Sequence, residues 1–97
     1  MTTPSRPELL GRLAECADRL ADLYRAAATL EQGLIANRAQ MWPQAMDDAG
    51  SVAGAERILA ALTAHADSEL ARLRGEIRCA ELEVSTVRFL IEHHPNP

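Results

Sequence analysis

The chain is predicted to be all-α, an antiparallel hairpin of two long helices, and three observations carry that prediction. Apolar residues recur three and four positions apart along two stretches, first Leu9, Leu13, Cys16, Leu20, Leu23, Ala27, Leu30, Leu34, Asn37 and Met41. The second stretch is Val52, Ala55, Leu59, Leu62, Ala66, Leu70, Leu73, Ile77, Ala80, Val84, Val87 and Ile91. A helix turns once in about 3.6 residues, so each series forms one stripe that faces a partner helix. Ala and Leu dominate the apolar content, while Trp42, Tyr24 and Phe89 are the only aromatic residues. That composition favours helix over strand. A length of 97 residues suits one domain.

Ser5 and Glu8 form a capping-box pattern and Pro7 suits a first helical turn, so the first helix is expected over about 6–41. Pro43 removes a backbone donor and biases Trp42 away from helical geometry. Residues 42–50 therefore read as a connector, with room for one turn over 43–49 closed by Gly50. Ser51 is the expected N-cap of a second helix over about 51–93, stopped by Pro95. The 4-4 step Leu62–Ala66–Leu70 is a stutter in the heptad. The seam resumes in phase across Gly75, which favours one continuous helix over a break at Asp67 or Gly75. Residues 1–5 and 94–97 are expected to be flexible tails of the single domain 1–97.

The first helix carries a second, flanking stripe: Leu10, Ala14, Ala17, Ala21, Tyr24, Ala28 and Ile35. A two-stranded seam needs one stripe, whereas a wider apolar face belongs to bundles of three or four helices. The expectation is a homodimer of hairpins forming a four-helix bundle with the stripe at the interface, or a larger protein complex in which a different protein covers that face. Asn37, polar within the seam, is expected to set register. Met41, Trp42, Pro43 and Met46 make an apolar hairpin tip, read as a partner-binding element or as a plug for the open end.

The net charge of −4 argues against nucleic acid and anionic membrane surfaces. Acid-before-Arg pairs such as Glu8–Arg12 and Glu15–Arg19 describe solvated helix faces. All ten basic side chains are Arg, so Schiff-base chemistry on lysine is excluded. Cys16 and Cys79 form neither a disulfide framework nor a metal-spacing motif. His93 and His94 are adjacent and diverge on a helix, and His65 lacks an obvious ligand partner. No Gly-rich phosphate loop, serine elbow or Glu-x-x-His pair is present, and no metal or cofactor is expected. Neither a leader sequence nor a membrane span is read, so the expected location is cytoplasmic.

Two resemblances bear on function. With Trp42 near the midpoint of a short helical hairpin, the chain resembles the small secreted proteins of the WXG-100 type. Here Trp42-Pro43-Gln44 lacks the glycine of the Trp-x-Gly motif, and Phe89-Leu90-Ile91-Glu92 does not supply the family's Tyr-based secretion signal. Arg12, Arg25, Arg38, Asp48 and Arg57 resemble the charged residues of the all-helical chorismate mutase, which implies an enzyme acting on a dianion. Their spacings do not match, and that family's active-site lysine has no counterpart. The sequence is read as a small non-enzymatic interaction module, an adaptor, inhibitor or assembly factor, whose partner is protein.

Overall fold

The computed structural model describes residues 3–95. The architecture is all-α: α1 is Arg6–Ala49, α2 is Val52–Leu62 and α3 is Ala64–Glu92, with no strand among the described residues. The helix ends follow the capping residues. Ser5 Oγ accepts from the Glu8 N–H at 3.2 Å, opening α1. Gly50, at φ 70°, closes it, its N–H donating to Met46 O at 2.8 Å. Such a left-handed position favours a residue without Cβ. Ser51 is extended at φ −152° and ψ 154°, and its Oγ accepts from the Gly54 N–H at 3.1 Å to cap α2.

Two expected boundaries are corrected. The first helix does not stop at residue 41. It runs through Pro43 to Ala49, leaving only Gly50 of the expected 42–50 connector, followed by the cap Ser51. Proline inside a helix costs about 3 kcal/mol through a lost hydrogen bond and a clash with the carbonyl four residues back. Burial offsets that cost. Ala45 is 3 % exposed in a cluster with Ala55 and Leu59, packed round by Met41, Trp42, Met46, Ala49 and Ile58.

The second helix is not continuous over 51–93. It is interrupted at Thr63, at φ −103° and ψ 7°, and not at Asp67 or Gly75. The backbone ladder still carries across, with the Thr63 N–H on Leu59 O and the Asp67 N–H on Thr63 O, both at 2.9 Å. The Thr63 hydroxyl also lies 2.9 Å from Leu59 O, and a second donor on that carbonyl loosens a helical turn. The break also turns the inner face by one residue. Thr63 is buried, whereas Leu62, expected on the seam, is 64 % exposed. Val52 is exposed as well, at the start of α2.

The chain divides into two compact units. One holds the described residues up to Arg25 and from Arg74 onward; the other is Ala26–Leu73. In the first, the two helical segments run antiparallel around Cys16, Val84 and Val87, flanked by Leu13, Leu20 and Ile91. Leu9 and Val87 are fully buried. Its ends are tied together, because His94 Nε2 lies 3.0 Å from Pro4 O. A carbonyl only accepts, so Nε2 is the donor, while Nδ1 is buried without a protein partner. Of the expected loose tails, Pro4 and His94 are thus half-buried and bonded, while residues 1, 2, 96 and 97 lie outside the described residues.

In Ala26–Leu73, small residues bring α1 and α2 close. A Cβ built on Gly54 would lie 2.8 Å from Ala49 Cβ and 3.0 Å from Ser51 Oγ. Gly→Ala inside a helix ordinarily gains about 1 kcal/mol. Here neither neighbour is the far end of a flexible chain, and overpacking costs about 1–3 kcal/mol. Gly54→Ala is therefore expected to lower the urea midpoint, with a net loss of about 1 kcal/mol. A raised midpoint would show that the two helices separate freely.

Candidate interaction site

The flanking stripe of α1 is largely uncovered. In the unit holding the N-terminus, Leu10 is 48 % and Tyr24 47 % exposed, Ala14 and Ala17 are exposed, and Ala21 is half-buried. In Ala26–Leu73, Ala28 and Ile35 are exposed. Tyr24 is nevertheless held in place, its hydroxyl donating to Glu81 Oε2 at 2.8 Å. That hydrogen bond, with lesser contributions from desolvation and the Glu81 charge, raises the phenol's pKa. The contact is thus fully present below the ordinary tyrosine pKa and is lost as pH rises through the raised value. The sequence reading missed a second exposed apolar set on α3, Leu82, Phe89 and Leu90. Their signal was the seven-residue spacing of Leu82 and Phe89, away from the seam. Phe89 stacks on His93 with ring centroids 4.1 Å apart.

The expected tip residues divide. Met41, Trp42 and Met46 are half-buried on the Ala45–Ala55–Leu59 cluster, while Pro43 is exposed on the helix surface. Beside that cluster lies a groove of about 420 Å³ lined by Arg38, Ala39, Trp42, Glu56, Leu59 and Ala60. Ala39 and Ala60 make the space, since a larger side chain on either helix would fill it. Trp42 both packs on the core cluster and lines the groove.

Asn37 does not hold the inner position expected of it. It is exposed, and Arg38 is the inward polar residue, half-buried. The reason is helical phase. Leu34 and Ala45 are buried eleven residues apart, and four-residue steps from Leu34 through Arg38 and Trp42 stay on that face better than Asn37 does. Arg38 Nη2 donates to both carboxylate oxygens of Asp67 at 2.8 Å and to Thr63 Oγ1 at 3.1 Å. Thr63 Oγ1 lies 3.0 Å from Asp67 Oδ2. The three side chains tie α1 to the α2–α3 break.

Arg38 and Asp67 are each about two-fifths exposed, so solvent screens their pairing. Asp67→Ala is expected to cost about 1–2 kcal/mol in urea unfolding, mostly by leaving Arg38 without its acceptor. A double-mutant cycle with Arg38→Ala should show positive coupling; strict additivity would show that the pairing contributes nothing.

Among the remaining chemistry-bearing groups, Arg12, Glu15, Cys16, Arg19 and Glu83 line one hollow. Cys16 is buried and Cys79 exposed, both as free thiols. Desolvation pushes the Cys16 thiol pKa up, the hydrogen bond and charge of Glu83 add to this, and Arg12 opposes it. A thiol held protonated is a poor nucleophile. Among the described residues, no group of three His, Cys, Asp or Glu is placed to hold a metal ion, and no helix is long and apolar enough to cross a membrane. Of the arginines in the resemblance to chorismate mutase, Arg25 pairs with Asp22 and Arg38 with Asp67. No protein-family model, curated protein or solved structure matches the chain.

Proposed function

We propose that this chain is a non-enzymatic protein–protein interaction module, an adaptor, inhibitor or assembly factor that works by helix-on-helix packing. In this reading it is an antiparallel hairpin whose first partner is a second copy, together forming a four-helix bundle. The observation that carries it is the exposed flank of α1, where Leu10 and Tyr24 stand among alanines over a closed Ala/Leu/Val core. Alanines allow close backbone approach, and an isolated apolar stripe on a helix has no reason to persist uncovered.

Size-exclusion chromatography with light scattering tests it. The expected result is a mass twice the 10.6 kDa of one chain, with Ala17→Glu giving a monomer of unchanged helicity. A wild-type monomer at all concentrations would overturn self-association.

A further inference from the structure

We infer that the groove between α1 and α2 is a docking site for the apolar face of a basic amphipathic helix. The inference rests on the interaction-module reading but not on self-association, since it uses a different surface. Three observations converge on it.

The first is size and lining. At about 420 Å³ the groove falls within the range of ligand-binding clefts, and Ala39, Trp42, Leu59 and Ala60 make its walls apolar. A helix presents large apolar side chains to such a groove at three- and four-residue spacing. The second is the aromatic wall. Trp42 is half-buried with its ring fixed by the Ala45–Ala55–Leu59 cluster, so ordering it on binding costs little entropy.

The third is charge, which selects the partner's sign. The unit Ala26–Leu73 carries twice as many carboxylates as arginines. Arg38, the one cation on the groove wall, is already held by Asp67. Arg72 is taken up by Glu69, whose carboxyl that hydrogen bond holds below the usual range. Glu56 on the groove wall, exposed on α2, therefore sets the sign of the lining, while Arg57, the unit's remaining arginine, lies outside it. Lysine or arginine beside the apolar anchors of an incoming helix meets complementary charge, while an acidic helix meets repulsion.

Trp42 is the only tryptophan, so its fluorescence reports the groove directly. The probe is a synthetic amphipathic helix of about 18 residues built from Leu and Lys, long enough to hold helix on binding. Its control has Glu in place of Lys. The expected result is a saturable shift of Trp42 emission with the Leu/Lys helix that weakens as salt rises, and none with the Leu/Glu helix. Ala60→Leu fills the groove from an exposed position and should lower affinity about tenfold or more. Ala39→Leu does the same from the opposite wall, so one misfolded variant does not remove the test. Glu56→Gln should weaken binding about two- to fivefold and flatten its salt dependence.

An absent shift, an equal response to the acidic helix, or wild-type affinity in both leucine variants would each overturn the inference. Light scattering on the same samples keeps the two readings apart. A monomer that binds the Leu/Lys helix overturns self-association and leaves the groove standing. A dimer that does not bind it overturns the groove alone.

Discussion

Pro43→Ala is expected to make the protein more stable, by about 2 kcal/mol, although it removes a residue from the best-packed end of α1. Pro43 is an exposed position inside a 44-residue helix, and it leaves the Ala39 carbonyl without its N–H donor. Alanine restores that donor and relieves the ring's clash, a difference of about 3 kcal/mol in a helix interior. The unfolded chain gains freedom when proline is lost, which takes back roughly 0.4–1 kcal/mol. For a domain of this size the net gain corresponds to a rise of about 10 °C in thermal midpoint. Calorimetry of the two proteins decides it. A lowered midpoint would mean that a bend at Pro43 is needed to seat Met41, Trp42 and Ala45 against α2, outweighing the backbone term.

Leu9→Ala is expected to have the largest destabilising effect, about 2–5 kcal/mol. Leu9 is 1 % exposed, and a hollow of about 220 Å³ already borders it, lined by residues that include Pro4, Phe89, Leu90 and His94. Truncation enlarges that hollow, and the Pro4–His94 bond limits how far the ends can collapse into it. Against a total stability of about 5–15 kcal/mol, such a loss is a large share. Leu10→Ala is the internal control. It sits one residue on, is 48 % exposed, and in an isolated chain should cost under about 0.5 kcal/mol. Chemical denaturation at several protein concentrations compares them. Equal losses at low concentration would contradict the burial of Leu9. A Leu10 cost that grows with concentration would show that a partner copy covers it.

Much of the local structure is legible in the sequence. Ser5, Gly50 and Ser51 act as the caps their side chains and backbone freedom imply, because a cap is a contact between residues three or four apart. Most of the two seams is buried or half-buried as the spacing required, from Leu9 and Cys16 to Val84 and Val87. What failed was always a trade between local preference and burial. Pro43 speaks against helix by itself, yet Ala45 two residues later is buried only if the helix continues. Asn37 and Leu62 matched a repeat of three and four, but the helix keeps its own period, so Arg38 and Thr63 turn inward instead. The groove was legible only in pieces. Trp42 was visible as an apolar tip residue, but Ala39, Glu56 and Ala60 have no sequence signal as its walls, because an alanine makes a cavity only where nothing else fills it.

The sequence by itself therefore determined the all-α class, the caps and the apolar faces, since these follow from propensity and from periodicity along one helix. The tertiary structure decided where α1 ends, where the second helical stretch breaks, and which polar side chain sits between the helices. Those choices depend on energies shared between residues far apart in the chain: Ala45 with Ala55 and Leu59, and Arg38 with Thr63 and Asp67. A local rule is worth at most about 3 kcal/mol here, and a few buried side chains in one cluster exceed it.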